Sequence, residues 1–128
     1  PEGTDVSVRS AVDVAIDGNV YVLHSDGVIA KYQEGSPVPF VQSNMDEPLE
    51  APRSIFVTGF MDEGGYVYVA DAGNQRIVQL SKAGEFIRQF RARDAKNMRD
   101  LRGLFVDEEQ KQLFLTDGSK LYLVSLPD

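Results

Sequence analysis

Cysteine and tryptophan are absent from the 128 residues, and histidine occurs once, at His24. Without cysteine there is no disulfide framework, thiolate metal site or cysteine nucleophile, and the redox compartment stays open. A tetrahedral zinc site of the imidazole type is excluded by the single His24, because several nitrogen ligands must converge on one ion. No run approaches the roughly 18 apolar residues that a membrane span needs. The first residues, Pro1, Glu2, Gly3, Thr4 and Asp5, have neither the basic nor the apolar character of a secretory signal, and they read as the start of an excised segment. Positive charge is also scarce: a formal net charge of -7 and a pI near 4.6 disfavour long-range attraction to nucleic acid or anionic lipid.

What the chain does have is 42% apolar residues, enough for one domain with a core of its own. The most informative stretch is residues 66–90. Tyr66, Val67, Tyr68, Val69 and Ala70 form a run rich in residues that fit a pleated, half-buried surface, and the runs 77–80 and 86–90 are similar. Asp71, Ala72, Gly73 and Asn74 separate the first two runs, and Lys82, Ala83 and Gly84 the second pair, with turn chemistry supplied by Asp, Gly and Asn. The stretch therefore reads as three consecutive antiparallel strands.

Tyr68, Val69, Ala70 and Asp71, followed by Gly73, Asn74, Arg76, Ile77, Gly84 and Phe90, with Pro52 and Ile55 upstream, resemble one repeat of the NHL family of β-propeller blades. Such repeats recur at roughly 40 to 50 residues, and two further copies follow on sliding the pattern along the chain. One begins near Val12 and continues through Asp17, Gly18 and Tyr21 to a fourth strand expected at residues 38–41. The other begins at Leu104 and runs through Phe114 and Asp117 to Val124. In register, Val12, Ile55 and Leu104 coincide, as do Tyr21, Tyr68 and Phe114; His24, Asp71 and Asp117; and Ile29, Ile77 and Leu121.

The expected fold is all-β: four-stranded antiparallel blades, NHL-like, in a partial ring of about three. Residues 1–10 form an N-terminal segment, 11–47 the first blade, 48–97 the second and 98–128 a third without its fourth strand. The alternation of polar residues with valine at 4–8 marks an additional strand, which is expected either to complete the third blade beside residues 121–124 or to be only a connecting loop. Asp17 and Gly18 give the strongest hairpin signal. Pro48 and Pro52 exclude a ladder strand from residues 42–52, and residues 59–65 make a longer turn with 61–63 exposed.

In such blades the turns after the second strands and the connectors after the fourth strands emerge on one face. Binding candidates there are His24, Asp26, Asn74, Gln75, Arg91, Arg93, Lys96, Arg99 and Ser119. Arg88, Arg91, Arg93, Lys96, Arg99 and Arg102 place six of the 13 basic residues around one connector. The plain reading is a solvated connector, with one helical turn at most. The sharper reading is a contact for an acidic partner; no aromatic residue within the connector is there to stack on a base, so nucleic acid is not expected. Asp71, Gly73, Arg76 and Asp117 are assigned to the turns themselves, with Asp71 and Arg76 paired across one of them.

Lyases and lactonases are built on similar propellers. A calcium-dependent lactonase needs six to eight oxygens, for which Asp26, Asp71, Asn74 and Asp117 are the candidates, yet Asp and Asn in such turns are explained by local hydrogen bonds. No catalytic residue, metal ligand or cofactor is therefore assigned. The favoured reading is a non-catalytic scaffold, for which the resemblance implies a protein or peptide partner on the connector face; because three blades of a six-bladed ring would expose two end sheets, self-association to close the ring is expected as well. The alternative is part of a metal-assisted lyase or lactonase whose ligands lie partly outside this segment.

Overall fold

The three valine- and tyrosine-rich regions fold as antiparallel sheets in the computed structural model, which describes residues 10–92 and 98–127. The first sheet orders β1 (Ala11–Ile16), β2 (Val20–His24), β3 (Ile29–Gln33) and β4 (Ser36–Val38) side by side. The second orders β5 (Ser54–Val57), β6 (Val67–Asp71), β7 (Arg76–Leu80) and β8 (Phe86–Phe90). The third holds β9 (Leu101–Asp107), β10 (Gln112–Asp117) and β11 (Lys120–Ser125), three strands among the described residues. Strand β1 neighbours β5, and β5 neighbours β9, so the first strands line one side while each sheet packs on the next. These are three blades of a propeller. The proposed strand at residues 4–8 lies outside the described residues.

Every residue of β6 and β7 is buried, because the second sheet is covered on both faces. Val67, Val69, Val78 and Leu80 face the first sheet and pack with Tyr21, Leu23 and Ile29. Tyr68, Ala70 and Ile77 face the third and pack with Leu101, Val106, Leu113 and Leu115. Cross-strand pairing bears out most of the repeat register: Tyr21 pairs with Ala15, Tyr68 with Phe56 and Phe114 with Phe105. One position is corrected. Val14, not Val12, pairs as Ile55 and Leu104 do, because the short turn at residues 17–19 sets Ile16 opposite Val20 and the unbroken register from there puts Val14 opposite Val22.

The fourth strand of the first blade is also corrected, from residues 38–41 to Ser36–Val38. Pro39 has no N–H to extend the ladder. Beyond it, Val41 donates its N–H to Ala83 O at 2.9 Å, and the Phe40 ring meets Tyr21 edge-on at 6.0 Å. The chain thus leaves its own sheet to join the second. Of residues 61–63, Asp62 and Glu63 are exposed as expected, whereas Met61 is half-buried and donates its N–H to Asp17 O at 2.8 Å.

Below this contact lies a charged network between the first two sheets. Lys82 Nζ bonds Asp17 Oδ2 and also Met61 O, and Tyr21 Oη donates to the same Asp17 oxygen at 3.3 Å. Lys31 Nζ bonds Asp62 at 2.6 Å and Lys82 O at 2.8 Å, and it stands 5.3 Å from the Tyr21 ring centre. Burial, reinforced by Asp17, pushes the Tyr21 hydroxyl above its ordinary range, so it stays a donor. Two buried lysines this well supplied with acceptors hold the sheets together at the end opposite the connectors.

Candidate functional site on the connector face

One arrangement recurs at the end of the second strand of each blade. In the second, Asp71 Oδ1 accepts the Glu50 N–H at 2.7 Å, and Gly73 N donates to Glu50 O at 2.8 Å. In the third, Asp117 accepts from Met98 N at 2.9 Å and Asp100 N at 2.6 Å, while Gly118 N donates to Asp100 O at 2.8 Å. In the first, His24 Nδ1 bonds Ser10 Oγ at 2.8 Å, and Ser25 N donates to Ser10 O at 2.8 Å. The residue that closes strand two therefore fastens the segment that leads into strand one. Gly73 must lack a side chain for this: a Cβ there would sit 2.3 Å from Glu50 O.

Arg76 carries the largest share of this face. Its Nε donates to Asp71 Oδ2 at 2.8 Å, its Nη1 to Asp46 at 2.9 Å and Gln89 at 3.0 Å, and its Nη2 to Glu47 O at 2.7 Å. Burial works against the guanidinium charge, yet the Asp71 and Asp46 carboxylates more than offset it and hold the group above its ordinary value. Asp46 is correspondingly held below the ordinary carboxylate range, chiefly by its hydrogen bond from Arg76. Arg102 does the same to Asp100, with Arg53 adding to it.

The expected binding residues are distributed unevenly. Asn74 is tied down, its Nδ2 donating to Pro48 O and Asp71 Oδ2, both at 2.9 Å. Arg91 donates to Asn74 O at 3.0 Å and approaches Glu47 at 3.4 Å, so these two candidates are brought together. Gln75 is exposed in a left-handed conformation, φ 53°, beside them. Arg99 and Ser119 are exposed by the third blade, and Arg93 and Lys96 lie outside the described residues. Asp26 is separate: its Oδ1 accepts the Val28 N–H at 3.0 Å, and it edges a groove of about 420 Å³ with Gln42, Asn44, Met45 and Leu49.

Sequence reasoning missed that groove. Gln42 forms its back wall by imitating a strand, accepting from Ile29 N at 3.1 Å and donating to Gly27 O at 2.9 Å. No periodic signal marks a side chain that substitutes for backbone; Gly27, whose added Cβ would lie 2.7 Å from Leu49 O, was the available hint. Among the described residues no group of three or more His, Asp or Glu side chains is placed to hold a metal ion. No helix among them is long and apolar enough to cross a membrane.

This architecture is that of a β-propeller, and comparison with solved structures agrees. The chain is similar to a gluconolactonase from Xanthomonas campestris, with a TM-score of 0.63 and 17% identity over 91% of this chain and 38% of that one. It is similar to a streptogramin B lyase at TM-score 0.63 and 15% identity, covering 93% and 41% of the two chains. KlHsv2 with its loop 6CD replaced by a Gly-Ser linker gives 0.58 and 11%, covering 92% and 36%. At such identities the likeness is one of fold, and the chain spans about two fifths of the lengths of these proteins. No protein-family profile matches the chain, so the likeness to NHL blades rests on the residues that carry it. No curated protein matches it.

Proposed function

We propose that the chain is a non-catalytic propeller scaffold whose connector face receives a protein or peptide. The observation that carries this reading is the division of labour on that face. Asp71, Asn74, Arg76 and Asp117 have their polar atoms bonded to their own connectors, while the neighbouring groove at Asp26, Asn44 and Leu49 is open and mixed in polarity. A side chain of a docked segment enters the groove, while Arg91 and Arg99, exposed elsewhere on the same face, can meet acidic groups farther along the segment. Panning a random peptide library against the chain tests this. Selected peptides should lose binding to Asp26→Arg and keep it with Lys120→Ala; peptides indifferent to Asp26→Arg would overturn the assignment.

The same proposal includes association through the two end faces. Phe105, Leu121 and Leu123 stand 54, 68 and 57% exposed on the third sheet, and Val12, Val14 and Ile16 stand 44, 47 and 68% exposed on the first. Leu121 occupies the register position that is buried as Ile29 and Ile77 in the other two blades. A second copy supplies the missing neighbour of each sheet and yields a six-bladed ring.

A second reading draws on the gluconolactonase and the streptogramin B lyase among the similar structures: part of a metal-assisted lactonase or lyase, with ligands partly outside this segment. Calcium titration with a thermal-shift readout separates the two, because a cation bound only by the native state raises apparent stability by mass action. A saturable rise at millimolar calcium favours the enzyme reading, and an unchanged midpoint favours the scaffold.

A further inference from the structure

On the end opposite the connectors, a cavity of about 130 Å³ opens between the second and third sheets. Its wall includes Tyr68, whose hydroxyl is fully committed. Tyr68 Oη donates its one proton to Glu108 Oε2 at 2.7 Å, so Gln79 can approach the hydroxyl oxygen only with its Nε2–H, at 3.1 Å. That orientation leaves Gln79 Oε1 buried with no donor, on a residue only 6% exposed. A buried amide oxygen in this state costs free energy unless something supplies an N–H or O–H. Glu108 Oε1 also receives no bond from the described residues, so two acceptors of the wall stand unused.

The rim has the opposite character. Arg88 on β8 and Lys111 on the turn between β9 and β10 line the same cavity, are exposed and form no ion pair with any described residue. Arg88 lies directly across from Gln79 on the neighbouring strand and Lys111 shares the turn of Glu108, so the contrast is one of depth: exposed cations at the rim over a buried acceptor at Gln79 suit a molecule that enters ammonium first and leaves a carboxylate at the mouth. At ~30 Å³ per water the space holds about four waters, which matches a compound of about six non-hydrogen atoms. We propose that this cavity binds a small α-amino acid or a zwitterion of similar shape. The ammonium faces Gln79 Oε1 and Glu108, and the carboxylate faces Arg88 and Lys111, with Tyr66 and Phe90 as apolar side walls. The site is independent of the connector face and of its partner.

Titrating the ¹⁵N-labelled chain with L-alanine tests it, with propionate and ethylamine as probes that each lack one charge. Saturable shifts are expected at the amides of Tyr68, Gln79 and Lys111, with a Kd in the high micromolar to millimolar range typical of so small a ligand. Propionate and ethylamine should each bind roughly tenfold or more weaker, because each forgoes a charge-assisted set of hydrogen bonds. Arg88→Gln, on an exposed strand position, and Gln79→Leu should each weaken L-alanine by a similar factor. Propionate binding as tightly as L-alanine would reduce the site to surface cations and overturn the proposal. Absence of saturable shifts would assign the cavity to water and overturn it equally.

Discussion

Arg76 and Asp71 meet at 2.8 Å with neither side chain reaching solvent, across the turn between β6 and β7. None of the three residues of that turn, Ala72–Asn74, is fully buried, while Arg76 reaches back under the incoming connector to Asp46 and Glu47 O. Both ions are therefore paired and further hydrogen-bonded, the condition under which a buried charge is tolerated. The pair links a turn, a connector and the fourth strand through Gln89 at one point.

The first prediction concerns that point. Arg76→Ala strands the buried Asp71 carboxylate and should cost about 3 to 5 kcal/mol, whereas Asp71→Ala leaves the buried guanidinium with the exposed Asp46 as its one remaining carboxylate and should cost about 2 to 4 kcal/mol. The double variant should cost less than the sum, since the second removal has no partner left to strand. Urea melts of the three variants measure this. Additive losses would mean that the two groups act separately.

Asp46 gives a pH dependence of defined sign. Its carboxyl is held below the ordinary range by Arg76, so the stabilisation is present above the unfolded value near 4 and is lost as pH falls through the lower folded value. Asp46→Asn removes the titration. Urea midpoints of the protein and the variant should differ at pH 6 and draw together as pH falls below the ordinary carboxylate range. A constant difference across that window would place the interaction elsewhere.

Gly73 is the steric counterpart. With Glu50 O 2.3 Å from the position of an added Cβ, Gly73→Ala must push the connector away from the turn. Its backbone is not in the left-handed region, so the penalty is one of packing, about 1 to 3 kcal/mol. The bond from Gly73 N to Glu50 O should lengthen or break, and amide exchange at Gly73 should accelerate. Unchanged exchange protection would show that the connector yields without loss.

Much of this was legible in the residues themselves. Tyr68, Asp71, Gly73 and Arg76 carry the blade pattern because each has a local geometric task, and local tasks repeat at fixed spacing. The lysine network did not announce itself, because Lys82 finds Asp17 across 65 positions and Lys31 finds Asp62 across 31. In a strand pattern an inward lysine looks like an outward one until its partner strand is placed. Val12 and Val14 lie on one face of β1, so alternation of apolar residues does not reveal which of them stands opposite Val22. Gln79 is a polar residue in the apolar run 77–80, and nothing in that run signals that it is only 6% exposed and bonded to Tyr68.

The last prediction follows from the unequal fate of equivalent positions. Ile29 is 3% exposed and Ile77 is fully buried, whereas Leu121, at the same place in the third sheet, is 68% exposed. The sheet that covers Ile29 presents Val67, Val69 and Val78; the first sheet places Val20, Val22 and Ala30 at the equivalent positions, of which Val22 is already buried, and leaves Val12, Val14 and Ile16 exposed beside them. The two ends of the chain are thus complementary in the way that adjacent blades are. An apolar face of roughly 600 Å² lies at the upper edge of what a monomer ordinarily leaves wet. Burying it is worth up to about 15 kcal/mol at ~25 cal/mol per Å², before association and ordering costs. Light scattering at micromolar concentration should therefore give the mass of two chains. Leu121→Glu should shift it toward one, and so should Val14→Glu, because a head-to-tail ring uses both faces. A single-chain mass for the unaltered protein would sink the closed ring, and a dimer insensitive to both substitutions would place its contact on another surface.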